Sequence, residues 1–315
     1  MRHTAFVHCG LHKTGTTAIQ LKMAQDRATL RLRHNILYPA TRDDHAGHHN
    51  LAWELGGDSR FDPRALTIAK ATAEIIAFAG DAVLSSEDFE TFLHDPAKLA
   101  PLVQPLRDSG RDVRLLVYFR EPNAYTESLF FELLMHGYAG SLTAFSREIH
   151  STGQLHYKRW IFQFDHRRIR KILGHWPAAR LQAFDYNDIS QTCSVVDHFL
   201  SEIGIPIQDR ETTGAERANA RPSHEVLLAF YIGNICQRSL TAGETELVHD
   251  LLLPLNGPTS RLMFDRVYSA HTAHEIIELA KQPDAARLAA LSAWWTGKSR
   301  FQKPIFSFIR EAISR

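Results

Sequence analysis

The 315-residue chain predicts an α/β fold, with a parallel sheet flanked by helices and a helical C-terminal extension. Three observations carry this expectation. A short apolar run near the start leads through a Gly- and Thr-containing loop into a helical pattern. Apolar strand-like runs then alternate with helical segments up to about residue 205, the pattern of a sheet covered on both faces. One run, Asp112 to Phe119, is nearly continuously apolar, as expected of a central parallel strand.

Taken in order, Ala5 to Cys9 reads as a buried strand. Gly10-Leu11-His12-Lys13-Thr14-Gly15-Thr16-Thr17 follows it. A helix beginning at Thr16 or Thr17 and running to about Arg33 should carry Ile19, Leu21 and Met23 inward, with Lys22, Asp26, Arg27 and Arg31 on its polar face. The N–H groups at a helix start have no intrahelical partner, and the dipole there favours an anion. Gly15 lets the backbone close around a phosphate where a Cβ would obstruct it. Strand, loop and helix together are a phosphate-binding arrangement.

Ile36 to Pro39 reads as a short strand stopped by proline. Asp43 to Asn50 is a histidine-rich loop, and Leu51 to Leu55 a short helix ended by Gly56-Gly57. Pro63 opens a helix whose small-residue face comprises Ala65, Ile68, Ala69, Ala73, Ile76 and Ala77. Ala82 to Leu84 is a buried strand with Ser85-Ser86-Glu87-Asp88 at its carboxyl end. Ala97 to Leu106 is a helix interrupted by Pro101 and Pro105. After Phe119, Arg120-Glu121-Pro122 leads into a helix to about His136. Leu155 to Leu173 reads as a long helix, Arg180 to Phe184 as a strand and Asn187 to Ile203 as a helix. The alternation ceases near Pro206. The chain therefore reads as a core over 1–205 and a helical extension over 206–315, packed on the same domain.

Composition narrows the function. Lys and Arg number 36 against 35 for Asp and Glu, a net charge of +1, so no polyelectrolyte partner such as nucleic acid is implied. The 18 histidines are dispersed and offer no zinc spacing; His45, His48 and His49 form the one dense group. Cys9, Cys193 and Cys236 give no disulfide framework and fit a reducing compartment. No apolar run has the length of a secretory signal or a membrane span. These features predict a soluble, cytoplasmic protein.

In open α/β sheets, ligands bind beyond the carboxyl ends of the strands. The loop after Cys9, the Ser85-Ser86-Glu87 stretch and Arg120 should therefore converge on one crevice. The loop is not of the ATP type, G-x-x-x-x-G-K-[ST]. Gly10, Gly15 and Thr17 are correctly spaced, but Thr16 takes the lysine's place and Lys13 lies mid-loop. No acidic metal ligand stands out at a later strand end. A tight strand-to-helix turn without a ligand is the structural alternative.

The Lys13-Thr14-Gly15-Thr16-Thr17 string resembles the 5′-phosphosulfate loop of the sulfotransferases that use PAPS (3′-phosphoadenosine 5′-phosphosulfate). Tyr118-Phe119-Arg120-Glu121-Pro122, with Ser128 eight residues after Arg120, resembles that family's 3′-phosphate motif. More weakly, Leu84-Ser85-Ser86-Glu87, Tyr157 and Phe184-Asp185-Tyr186 resemble its bacterial, carbohydrate-type branch. The likeness covers roughly residues 3–205. The chain lacks the cytosolic branch's K-T-H triplet and R-K-G segment; Arg217 and Arg221 are candidate substitutes for the latter.

The resemblance implies a P-loop-like fold and sulfuryl transfer from PAPS to a hydroxyl or amine of a carbohydrate or small-molecule acceptor, with no metal required and PAP as product. Lys13 would neutralise charge on the bridging oxygen. Thr14, Gly15, Thr16 and Thr17 would bind the 5′-phosphate, and Arg120 and Ser128 the 3′-phosphate. For the acceptor's proton the candidates are Glu87, favoured because its position follows from the fold, and His48 or His49. Glu87 would need its pKa raised by burial. Two alternatives to a sulfotransferase are a P-loop kinase of small molecules, requiring Mg²⁺, and a nucleotide-binding module without turnover. Trp53, Tyr125, Phe130, Tyr157 and Trp160 could line a sugar site or belong to the core.

Overall fold

The computed structural model describes residues 2–41, 45–138 and 142–206. The predicted C-terminal extension, with Arg217 and Arg221, lies outside the described residues. The chain divides into two compact units: Met1–Tyr125 with Ile149–Ala218, and Thr126–Glu148 with Asn219–Arg315.

The first unit is built on a five-stranded, wholly parallel sheet. Its strands are β1 (Thr4–His8), β2 (Ile36–Leu37), β3 (Asp81–Ser85), β4 (Asp112–Phe119) and, after a small hairpin, β7 (Arg180–Asp185). The spatial order is β2-β3-β1-β4-β7. β1 holds the middle position, and β4 lies between β1 and β7, an interior strand as its apolar run suggested. Every residue of β1 is buried, and Leu115 to Phe119 of β4 are buried on both faces, which explains their lack of alternation. The edge strand β7 is half-exposed and correspondingly more polar.

Between β1 and β2 the chain forms α1 (Thr16–Gln25) and α2 (Arg27–Arg33), two helices where one was expected, broken at Asp26. Ile19 and Met23 face the core, but Leu21 is exposed. Lys22, expected on the polar face, is buried with its ammonium 2.9 Å from Asp26. Next come α3 (His49–Gly56), closed by Gly57 in the left-handed region (φ 61°), and α4 (Ile68–Ala77). Helix α4 starts five residues after Pro63, where Thr67 accepts the Lys70 N–H as its N-cap. Its inward face is Ala71, Thr72 and Ile75, so the predicted face through Ala69, Ala73 and Ile76 is rotated outward, with Ile76 exposed.

Two 3₁₀ turns, Glu87–Phe92 and Pro96–Leu99, precede α5 (Ala100–Asp108), which keeps Pro105 in its interior. Helix α6 spans Pro122–Met135 and α7 Leu142–Thr152. The long helix expected over Leu155 to Leu173 is instead an antiparallel hairpin, β5 (Gln154–Tyr157) and β6 (Trp160–Gln163), followed by α8 (His166–Gly174). Lys158 takes the turn with φ 53°, a conformation usually left to Gly or Asn, so no turn signal marks it. After β7 come α9 (Tyr186–Thr192) and α10 (Val195–Glu202), separated where one helix was expected; Ser194 caps the second.

One face of the sheet buries Phe6, Val83, Leu116 and Tyr118 against Ile19 and Met23 of α1 and Phe199 and Leu200 of α10. That packing seats α1 at the end of β1. In the second unit, Phe130, Tyr138 and Phe145 form an aromatic cluster with centroids 5.2–5.9 Å apart. Among the described residues no helix is long and apolar enough to cross a membrane.

Candidate functional site

The loop after β1 is held in an unusual backbone form. Lys13 (φ 63°) and Gly15 (φ 78°) both adopt left-handed conformations. Such residues within a turn rotate successive N–H groups towards a common concavity, an anion-binding arrangement. For a lysine this costs about 1–2 kcal/mol, and two hydrogen bonds hold it. The Thr14 hydroxyl donates to the Leu11 carbonyl at 2.6 Å, and Arg120 Nη1 donates to the Lys13 carbonyl at 2.8 Å.

Each glycine has a steric reason. A Cβ on Gly10 would lie 2.3 Å from the Thr16 methyl, and one on Gly15 would lie 2.6 Å from Val195 of α10. Gly15 is also the N-cap of α1 and supplies no side-chain cap. The hydroxyl of Thr14 is therefore spent inside the loop. Thr16 is buried and Thr17 exposed.

The three strand ends do meet. The Ser86 N–H donates to the His8 carbonyl at 3.1 Å, and the Cys9 N–H to the Leu116 carbonyl at 3.0 Å. Arg120, one residue past β4, reaches the loop itself, and its guanidinium also lies 5.6 Å from the Tyr186 ring. Ser128 is half-buried on α6, in the second unit.

A group of acids and histidines lies beside the loop. Glu90 is fully buried and receives four donors. The His12 backbone N–H and Nδ1 reach one carboxylate oxygen at 2.9 and 2.8 Å; the Gln163 N–H reaches the other at 2.7 Å, and the Tyr125 hydroxyl lies within 2.9 Å of both. One carboxylate thus ties the loop to the hairpin and to the start of α6. Asp88 lies 3.8 Å from His12 Nε2 and accepts from Trp53 Nε1.

Glu87, expected as a proton acceptor, opens the 3₁₀ turn after β3 and accepts a 2.6 Å hydrogen bond from Gln20 of α1. His49 Nδ1 lies 3.8 Å from the Glu87 carboxylate and 3.0 Å from Ser86 Oγ. His48 is placed differently. Its ring is fully buried, Nδ1 accepts the Ser85 N–H at 3.0 Å, and Nε2 donates to the Pro39 carbonyl at 3.0 Å. Both nitrogens are thus committed to the backbone, and burial pulls its pKa down to about 4. His48 joins the ends of β2 and β3 and has no nitrogen left for a ligand.

His8, on β1, is also fully buried and is held neutral, with its pKa lowered by burial to about 3. Burial raises the Cys9 thiol's pKa, making it an inert core residue.

Of the aromatic candidates, Tyr125 and Phe130 are buried, while Trp53 and Trp160 line a cavity of about 660 Å³ that Asp88 also borders. Glu90 and Gln20 were not singled out in the sequence, and His12 and Asp88 stood there only as members of the loop and of the strand-end stretch. The available signal was the acidic stretch Glu87-Asp88-Phe89-Glu90, too polar for a buried segment unless each carboxylate has a partner. Among the described residues no group of three or more His, Cys, Asp or Glu side chains is arranged to hold a metal ion.

No protein-family model matches the chain, and no curated protein or solved structure is significantly similar to it.

Proposed function

We propose that the protein is a PAPS-dependent sulfotransferase, moving a sulfuryl group to a hydroxyl or amine of a carbohydrate or other small acceptor. One observation carries the reading most: the 2.8 Å hydrogen bond from Arg120 to the Lys13 carbonyl. It joins the two sequence stretches that resemble the family's 5′- and 3′-phosphate motifs.

The residues fit such a donor. The left-handed turns at Lys13 and Gly15 and the uncapped start of α1 suit a phosphate. In this reading the backbone N–H groups of Thr14, Gly15, Thr16 and Thr17 hold the 5′-phosphate, with the exposed Thr17 hydroxyl as a further donor. The Thr14 hydroxyl is engaged with Leu11, so Thr14 contributes through its backbone. Arg120 serves the 3′-phosphate and at the same time braces the loop. A guanidinium suits this double duty because its five donors lie in a fixed fork.

PAPS, when bound, supplies the sulfuryl group and a phosphate leaving group. Lys13 offsets negative charge gathering on the bridging oxygen, as preorganised cations do for developing charge. Glu87 takes the acceptor's proton, with Gln20 fixing its orientation and His49 as its neighbour. His48 is assigned a structural part only, because both ring nitrogens are bonded to the backbone.

The direct test is turnover of sulfur-labelled PAPS against a panel of hydroxyl and amine acceptors in the presence of EDTA. Label should pass to acceptor with release of PAP. Consumption of ATP in a parallel assay with Mg²⁺ and no EDTA, with PAPS left untouched in both, would overturn the reading in favour of a kinase.

A further inference from the structure

The cavity of about 660 Å³ lies between α3, the turn that follows it, the first 3₁₀ turn and the hairpin tip. Its size is that of a small-molecule site. Its lining is unusual for a protein whose net charge is only +1. Arg60, Lys98, Lys158 and Arg159 contribute four cations, and Asp58 and Asp88 two carboxylates. Both carboxylates are engaged within the wall. Asp58 takes a two-pronged grip from Arg60, at 3.0 Å from Nε and 2.7 Å from Nη2, and Asp88 accepts from Trp53. Arg60 also lies 3.6 Å from Asp88, so four cations against two carboxylates leave the lining net positive.

The cations are also ordered by aromatic rings. The Arg60 guanidinium sits between two indoles, 4.4 Å from the Trp53 centroid and 5.8 Å from that of Trp160. Arg159 lies 4.8 Å from Trp160. A guanidinium stacked by its face keeps its N–H edge in plane, the geometry that matches a carboxylate or sulfate. The hairpin tip adds to this. Its two turn residues are Lys158 and Arg159, and Lys158 adopts φ 53° where glycine or asparagine is usual. Two cations thus occupy the turn, and one of them, Lys158, holds a left-handed backbone.

We infer that this cavity binds an anionic saccharide: a sugar ring bearing a carboxylate or sulfate ester, whose oxyanion meets Arg159 and Lys158 and whose ring packs on the Trp160 indole. The volume far exceeds that of an isolated oxyanion, so the charge belongs to a larger ligand, and indole surfaces suit the C–H face of a sugar. Asp88 forms the inner wall and lies 3.8 Å from His12 of the phosphate loop, so the ligand's far end would approach the crevice. That the ligand is the acceptor rests on the sulfotransferase reading; that it is an anionic saccharide does not.

The test is a calorimetric titration of the full chain with methyl glucuronide, glucose 6-sulfate and neutral methyl glucoside, without nucleotide. Both anionic sugars should bind at least about tenfold more tightly than the neutral one, and their affinity should fall with added salt. Comparable affinities between the two would assign shared oxyanion recognition; preference for one would name the source. The Lys158→Ala/Arg159→Ala variant should lose that advantage while binding of the neutral sugar stays as it was. Its unfolding midpoint is measured alongside, and Lys98→Glu provides a second variant from a different element. Equal binding of charged and neutral sugars by the intact protein would overturn the inference. Titration of the same sample with PAP separates the two readings. Binding of PAP with no preference for anionic sugars sinks only the cavity assignment, whereas the converse leaves the cavity and removes the donor.

Discussion

Arg120 Nη1 donates to the carbonyl of Lys13 at 2.8 Å, a contact between residues 107 positions apart in the chain. It fastens the end of β4 to the loop after β1. Replacing Arg120 by alanine should therefore act twice, loosening the loop and removing a phosphate partner. Calorimetry should show weaker binding of both PAP and AMP, with the loss for PAP the larger by about tenfold or more, since one charge-assisted hydrogen bond is worth roughly 1.5–3 kcal/mol. Equal losses would leave Arg120 as a brace alone. Arg120→Lys should rescue little, because a point charge does not reproduce the fork.

Lys13→Ala should lower kcat on PAPS by about 10²–10³ while changing PAP affinity far less. The Thr14 and Arg120 hydrogen bonds that hold its backbone do not depend on its side chain, so the loop should persist in the variant. Steady-state kinetics and PAP titration on the same preparation separate the two effects. Near-normal kcat would remove Lys13 from the chemistry.

Glu87→Gln should cost about 10²–10⁴ in kcat with PAP binding nearly intact. His49→Asn should cost less, through the orientation of Glu87, and His48→Asn should act on stability instead. The pH–rate profile of each variant distinguishes them. Full kcat in Glu87→Gln, together with loss of rate and of the acidic limb in His49→Asn, would make His49 the base.

Two buried histidines should make stability fall in mild acid. Burial lowers the pKa of His8 to about 3 and that of His48 to about 4, from an ordinary 6.5. The unfolded chain therefore binds more protons than the folded one below about pH 6.5. Their contribution is complete above that pH and is lost as the pH falls through the folded values. Each should add a slope on the order of 1.4 kcal/mol per pH unit between about pH 6 and 4.5. Denaturant melts across this range should show the loss, and His48→Asn should roughly halve the histidine-dependent slope. An unchanged slope in that variant would contradict the assignment.

Much of the frame was legible in the sequence because the signals were local and strong. The run through Asp112–Phe119 and the Gly10–Thr17 loop fall where expected, and α6 begins at Pro122 as Arg120-Glu121-Pro122 suggested. The hairpin at Tyr157–Trp160 was not legible, because Lys158 takes a left-handed turn that no Gly or Asn announces and the flanking aromatics imitate a helix face. Helix faces were misjudged where small and branched residues surround the axis, as with Ile76.

At the site, Glu90 was invisible for a different reason. Its four donors come from His12, Tyr125 and Gln163, separated from it by 35 to 78 positions, and only the tertiary structure gathers them. The same holds for Gln20, which reaches Glu87 across 67 positions. His48 illustrates the reverse: a polar, histidine-rich loop suggested accessibility, yet the ring is buried as a link between strands.

The loop after β1 is proposed to serve PAPS rather than a magnesium nucleotide. Calorimetric titration of the protein with PAP, AMP and Mg-ATP tests it most directly. PAP should bind at least about tenfold more tightly than AMP, because only PAP carries the 3′-phosphate assigned to Arg120, and its affinity should be unchanged by EDTA. Tight binding of Mg-ATP that EDTA abolishes, with PAP binding no better than AMP, would contradict the account.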